Sequence, residues 1–133
     1  MLPIDLETLR LFLHVLAATV WVGGQLTMGA LVPVLRRAGA DVPALAARQF
    51  ARVAWTAFAV LIVTGFWNLA AYEGKDRAGF AATISLKLVF VALSGIAALV
   101  HSRARSRALL ALGGAGAAGF ALVTVFLGVV LTG

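Results

Sequence analysis

Residues Leu11 to Val34 read LFLHVLAATVWVGGQLTMGALVPV and are the most informative part of the sequence. It is a continuous apolar run, long enough to cross the roughly 30 Å hydrocarbon core of a bilayer as a helix. Four of its residues, His14, Trp21, Gln25 and Met28, fall on one face of a helix with about 3.6 residues per turn. A histidine inside a membrane span usually faces a partner or a cavity rather than lipid. His14 is therefore the first candidate for a functional residue.

The composition of the whole chain agrees with a membrane protein. Of its 133 residues, 62% are hydrophobic and 12% are charged, which is too apolar for a water-soluble domain of this size. We therefore expect one membrane domain over residues 1–133, surrounded by the lipid bilayer. The chain has no cysteine, which excludes disulfides and thiolate metal sites. Although the net charge is +6, no basic patch is interleaved with stacking aromatics, so we expect no nucleic-acid binding.

Four apolar segments, at about 9–35, 53–72, 80–101 and 108–132, each reach the length of about 20 residues that a span needs. Short connections make consecutive spans antiparallel neighbours. The sequence therefore predicts an all-α fold, an integral membrane antiparallel four-helix bundle. Between the first two spans, the basic and alanine-rich run at 36–52 predicts a separate short helix at the membrane interface. Asp5 and Glu7 stand where a cleavable signal would carry basic residues, so we expect no such signal.

The distribution of positive charge predicts the orientation in the membrane. Seven arginines lie on one side of the spans: Arg36, Arg37, Arg48, Arg52, Arg103, Arg105 and Arg107. The other side has Arg10, Lys75 and Arg77, accompanied by four acidic residues. The side with more positive charge is expected to face the cytoplasm. This prediction places both termini on the outer side, which is the periplasm if the host is a bacterium and the chain lies in its inner membrane.

Three polar residues are predicted at similar depth in the outer half of the bilayer. His14, Asn68 and Lys87 come from the first three spans, each within about two turns of the outer end. Lys87 has two readings: its ammonium reaches up to the headgroups, or it faces inward and pairs with an anion or binds a metal. Trp21 lies too deep for the aromatic belt, so it is expected to pack or to line a pocket.

The fourth span contains the run GGAGAAGF with Gly113, Gly116 and Gly119. Small residues allow helix backbones to approach closely in lipid. This run predicts tight packing within the bundle or, alternatively, a contact face for a second copy or for a membrane-complex partner.

The sequence contains no catalytic triad, paired carboxylates, phosphate-binding loop or HExxH motif. Any chemistry would therefore depend on a cofactor. Whether the protein is an enzyme stays open at this point; if it is one, a haem-dependent membrane oxidoreductase is the expected class.

Two motifs resemble known membrane families. The pattern H-x6-W-x-G-G at His14, Trp21, Gly23 and Gly24 resembles the first span of the copper-resistance CopD family and of the related HemJ family of protoporphyrinogen oxidases. Residues 83–101, TISLKLVFVALSGIAALVH, resemble the third span of both families, and VTGFWNL at 63–69 is closer to CopD. The resemblance covers about three of the four spans.

The resemblance implies a site and a cofactor. In HemJ-like proteins, the first-span histidine and the third-span lysine are implicated in haem binding, and they match His14 and Lys87. We therefore expect a b-type haem in the outer half of the bundle, with His14 and Lys87 as metal ligands. We expect the cofactor-binding residues to be His14, Lys87, Trp21 and Asn68. Its role would be redox or porphyrin-related. Copper handling or uptake across the membrane and an accessory subunit of a membrane complex remain as alternatives.

Overall fold

The computed structural model describes residues 4–133, which form helices and no strand. The elements are α1 (Leu6–Ala18), a π-helical segment (Thr19–Gly23), α2 (Gly24–Ala38), α3 (Val42–Ala71), α4 (Phe80–Arg103) and α5 (Arg107–Thr132). A short 3-10 turn, Gly74–Asp76, connects α3 to α4.

Four of these stretches are long and apolar enough to cross a membrane. The first is the continuous run Leu6–Ala38, in which the π-helical segment joins α1 to α2; α3, α4 and α5 are the other three. The all-helical, four-span prediction is confirmed, and the arrangement is compatible with a membrane helical bundle.

The predicted interfacial helix at 36–52 is wrong as a separate element. Residues from Val42 onward belong to α3, which continues without a break to Ala71. Pro43 lies in the first turn of α3, where its missing N–H leaves no hydrogen bond unmade. The alanines, leucine, arginines and glutamine that follow are good helix formers, so nothing between the two regions ends the helix. The connection to α2 is only a tight turn at residues 39–41.

The helix ends are set by local hydrogen bonds. The Asp5 carboxylate accepts from the backbone N–H of Thr8 at 2.8 Å and from its hydroxyl at 2.9 Å, and so caps α1. The Ser106 hydroxyl accepts from the backbone N–H of Leu109 and caps α5. Gly79, with a φ of 82°, turns the chain into α4 through a left-handed conformation that a side chain would disfavour.

The described residues divide into two compact units. The N-terminal unit ends at Tyr72 and the C-terminal unit is Glu73–Gly133. In the N-terminal unit, α1 and α2 run antiparallel to α3, since the residue pairs His14–Thr64, Trp21–Phe58 and Gly24–Phe50 are in contact. In the C-terminal unit, α4 runs antiparallel to α5.

Small side chains form the contact inside each unit. The buried residues include Ala17, Ala54, Ala57, Thr64, Ser94, Ala117 and Ala121. Many large side chains lie on the outside instead, among them Phe12, Val63, Phe66, Leu112 and Phe126. This inversion of the usual soluble pattern is typical of helices that pack against each other in lipid, where close backbone approach gives the attraction.

Candidate functional site

The first span is interrupted by a π-helical segment that surrounds Trp21. A single π turn inserts one extra residue into a helix and is frequent at functional sites. Side chains bond back to carbonyls on both sides of it: Thr19 to Val15 at 2.9 Å and Thr27 to Gly23 at 2.7 Å. Gln25 donates to the carbonyl of Trp21 at 2.9 Å. These bonds satisfy carbonyls where the regular helical pattern is disturbed.

Trp21 packs into an aromatic cluster on α3. Its side chain is only 4% exposed, and its ring centroid lies 4.5 Å from that of Phe58 and 5.5 Å from that of Trp55. Of the two expectations for Trp21, packing or lining a pocket, the structure of the N-terminal unit shows packing. This cluster fixes α3 against the first span about two turns from His14.

The His14 ring is held by a residue of α3. Its Nδ1 lies 2.8 Å from the hydroxyl oxygen of Thr64, which is 3% exposed. The same hydroxyl lies 2.7 Å from the carbonyl oxygen of Val60, one turn earlier in α3. Because the Val60 carbonyl can only accept, the hydroxyl proton goes to it. The Thr64 oxygen must then accept the proton of His14 Nδ1.

This chain of hydrogen bonds assigns the tautomer of His14. With the proton on Nδ1, the neutral ring has its lone pair on Nε2. Metal-binding histidines are commonly held this way, with one ring nitrogen donating to a neighbouring oxygen and the other directed at the metal. His14 therefore has the protonation pattern of an axial ligand.

Gly65 provides space beside the His14 ring. A Cβ added at Gly65 would lie 3.5 Å from Cε1 of His14, in ordinary van der Waals contact, so any larger side chain would crowd the imidazole. The neighbours in sequence, Thr64 and Gly65, thus hold the ring and leave room next to it.

Haem needs fewer protein ligands than a bare metal ion does. Within residues 4–133, no three His, Cys, Asp or Glu side chains lie together in a group that could hold a metal ion. A bare copper ion would need such a group or methionines. Haem iron takes four nitrogens from its own porphyrin, so one axial histidine from the protein is sufficient. The residues around His14 therefore fit haem.

Asn68 lies one turn beyond Thr64 on α3, which places it next to the His14 level in the N-terminal unit. Its side-chain oxygen is buried and has no hydrogen-bond partner. Of the residues predicted for the site, the N-terminal unit thus contains His14, Trp21 and Asn68, all on the α1–α3 contact.

Lys87 belongs to the C-terminal unit, where it faces α5. A Cβ added at Gly128 would lie only 3.2 Å from Nζ of Lys87, so the glycine makes room for the ammonium group. Lys87 is partly buried in this contact. The lysine therefore lies along the partner helix rather than projecting away from it.

The other histidine, His101, takes part in the contact between α4 and α5. Nδ1 of His101 lies 2.7 Å from the carbonyl oxygen of Leu110 and donates to it. Gly113 and Gly114 lie against His101, and Gly116 lies against Ala97. Three of the four glycines in this run therefore serve the α4–α5 contact. Gly119 has nothing within 4 Å of where a Cβ would be.

An open groove of about 430 Å³ follows the other side of the α1–α3 contact. It is lined by apolar side chains, among them Leu13, Leu16, Val53 and Val60, together with Arg52 and Thr56. His14 does not line it. Val60, whose carbonyl accepts from Thr64, is common to the groove and the candidate site.

The structural environment of two residues, Thr64 and Arg10, was not predicted from the sequence. Thr64 lies within VTGFWNL, residues 63–69. A threonine in the middle of a span could have been predicted to bond a polar side chain, because its hydroxyl oxygen can bond a side chain as well as its own helix. Arg10 was counted only as a topology signal, although its side chain is 11% exposed in the structure.

Comparison with known proteins found no relative: no family model, no curated protein and no solved structure matches the chain.

Proposed function

We propose that this protein binds a b-type haem in the membrane through Nε2 of His14, for a redox or porphyrin-related role. The observation that carries the proposal is the Thr64 hydrogen bond, which puts the proton of His14 on Nδ1 and the lone pair on Nε2. The resemblance of the first span to CopD and HemJ proteins points to the same histidine. Haem, when bound, supplies one-electron chemistry that no side chain of this sequence offers.

The chain's own residues have separate tasks in this proposal. Thr64 orients the imidazole, and Gly65 leaves space beside it. The cluster of Trp21, Trp55 and Phe58 keeps the two helices together on the inner side of the histidine and offers apolar surface. A dry, apolar surrounding of this kind influences the reduction potential of bound haem.

Lys87 enters the proposal through the resemblance alone, as a second ligand or as a partner of a haem carboxylate. Lys87→Met is expected to change the absorption spectrum or the affinity of bound haem. If the lysine only reaches the headgroups, spectrum and affinity stay as they are in the unchanged protein.

The test is the absorption spectrum of the protein purified in detergent, oxidised and dithionite-reduced, with metal analysis of the same sample. We expect an intense Soret band that shifts on reduction. His14→Ala is expected to lose haem while circular dichroism shows an intact helical fold. His101→Ala is the matched control, because it removes the other histidine, and it should retain haem.

The alternatives give different results in the same experiment. If the purified protein is colourless and contains stoichiometric copper, copper handling would replace haem binding as the proposed function. A protein that retains neither, even after haem or copper is added, would leave an accessory subunit as the better description. Haem retention unchanged by His14→Ala would overturn the assigned ligand.

A further inference from the structure

Two buried polar atoms of the N-terminal unit have no hydrogen-bond partner. They are Nε of Arg10, a donor, and the side-chain oxygen of Asn68, an acceptor. Among residues 4–133 these are the buried side-chain atoms left without a partner. Native proteins rarely leave such atoms unsatisfied, and here one is a donor and the other an acceptor, so they can satisfy each other.

The register of the helices places the two residues at one level. Arg10 comes four residues before His14 on α1, and Asn68 comes four residues after Thr64 on α3. The two helices are antiparallel and His14 bonds Thr64. Going from His14 to Arg10 and going from Thr64 to Asn68 therefore lead in the same direction along the helix axes, each by about 6 Å. Arg10 and Asn68 therefore lie across from each other, one turn from the His14–Thr64 bond toward the start of α1.

The protein provides little negative charge for Arg10. Its side chain is only 11% exposed, and a guanidinium shielded from water is costly unless it meets an anion. The only ion pair it makes with a described residue is with Glu7, at 3.5 Å. Glu7 is 67% exposed and lies three residues earlier on the same helix, an arrangement that contributes little. The cation is thus available for an anionic ligand.

We propose that Arg10, positioned by Asn68, binds a carboxylate of the group that His14 ligates, namely a propionate of haem; this inference rests on the proposed function. Haem carries its carboxylates on the rim of the ring, and Arg10 lies one turn from His14 on the same helix face. When Nε donates to the Asn68 oxygen, Nη1 remains for the carboxylate, and Nη2 can exchange its exposed partner Glu7 for the second carboxylate oxygen. Arg10 is the binding residue and Asn68 a positioning residue.

The experiment compares two probes on haem-free protein in detergent: ferric haem b and its dimethyl ester, in which both carboxylates are neutral. The unchanged protein should bind the free acid at least about tenfold more tightly than the ester, the loss expected when one charged hydrogen-bonded pair is removed. Arg10→Gln should weaken binding of the free acid by about the same factor and leave ester binding unchanged. Asn68→Ala should reduce the same preference to a smaller extent.

Arg52→Gln is the matched control, because it removes another arginine of the same unit and should leave the ratio of the two affinities unchanged. If the unchanged protein binds acid and ester equally, or if Arg10→Gln weakens both alike, the inference is overturned while haem binding through His14 stands. If neither probe binds, the proposed function fails and this inference fails with it. The comparison of the two probes on the unchanged protein needs no variant to fold.

Discussion

The chemistry of His14 depends on one hydroxyl in the neighbouring helix. A histidine alone can place its proton on either nitrogen, and the choice decides which nitrogen can bind a metal. Here the Val60 carbonyl takes the Thr64 hydroxyl proton, and the Thr64 oxygen takes the Nδ1 proton of His14. A backbone carbonyl thus determines the state of the imidazole through a relay of two hydrogen bonds.

Thr64→Val tests this relay. The substitution keeps the shape of the side chain but removes the acceptor for Nδ1 of His14, so we expect haem affinity to fall by about tenfold or more. The measurement is a titration of haem-free protein with haem b, read at the Soret band. Thr56→Val is the control: Thr56 lies on the same helix but bonds only the carbonyl of Arg52 in its own helix. Equal losses in the two variants would contradict the relay.

Asp5 gives a pH-dependent prediction at the start of α1. The hydrogen bonds from the backbone and hydroxyl of Thr8 lower the pKa of Asp5 below its ordinary value of 3.8. Because the pKa is lower in the folded state, the capping stabilisation is complete above pH 3.8 and is lost as the pH falls through the folded-state value.

Amide protection factors of Thr8 and Leu9, measured by NMR, should therefore drop only below the ordinary range for aspartate, whereas Asp5→Ala should lower them at neutral pH as well. Protection that does not depend on the carboxylate would show that the cap is unimportant.

The two helix contacts use glycine differently. In the N-terminal unit, a Cβ at Gly24 would overlap the ring of Phe50, so the aromatic ring fills the space above the glycine. In the C-terminal unit, a Cβ at Gly113 would lie 2.8 Å from the backbone nitrogen of His101, so backbone approaches backbone. A side chain can move away, but a helix backbone can do so only if the whole helix shifts.

Gly113→Ala is therefore expected to be costly. The added methyl group would force α4 and α5 apart, and we expect a loss of about 1–3 kcal/mol in unfolding free energy. Gly119→Ala adds the same group where nothing lies within 4 Å, and should change stability by less than about 0.5 kcal/mol. Unfolding by sodium dodecyl sulfate, followed by circular dichroism, measures both. Similar losses in both variants would mean that Gly119 is also in a contact, for example with a second copy.

The molecule as a whole is a set of four apolar helices with large side chains on the outside and small ones between the helices of each unit. Such a surface is suited to lipid, and the helices are held together by close packing rather than by exclusion of water. The orientation predicted from the arginine distribution is a property of the entire chain, and it decides on which side of the membrane the His14 end of α1 lies.

Single cysteines test the orientation directly, because the natural chain has none. Asp76→Cys lies in the connection between α3 and α4, and Arg105→Cys in the connection between α4 and α5. With a membrane-impermeant maleimide on intact cells, we expect Asp76→Cys to be labelled and Arg105→Cys to react only after permeabilisation. The opposite labelling pattern would reverse the predicted orientation.

The class of the protein and the first ligand candidate, His14, follow from the amino-acid sequence. Apolar runs of span length admit only helices in lipid, because every backbone group must be satisfied within its own segment. That constraint is local, so the four spans and the interior position of Trp21 could be inferred from the sequence, and His14 and Asn68 could be named as candidates. The connection at 36–52 could not, since its composition suits an interfacial helix as well as an extension of α3.

The surroundings of His14 become visible only when the helices are packed against each other. Thr64 lies 50 residues away in sequence, and its pairing with His14 follows from the register between two helices. The π-helical segment follows His14 and affects the register of α2 instead, because one extra residue inserted into a helix rotates every side chain after it. The burial of Arg10 is likewise visible only in the structure. In the sequence, Arg10 is one of several charges at the end of a span, whereas in the fold its side chain is shielded from water and lies across from Asn68. The register between two helices depends on many packing contacts between residues that are far apart in sequence, so it cannot be inferred from any one segment of the chain.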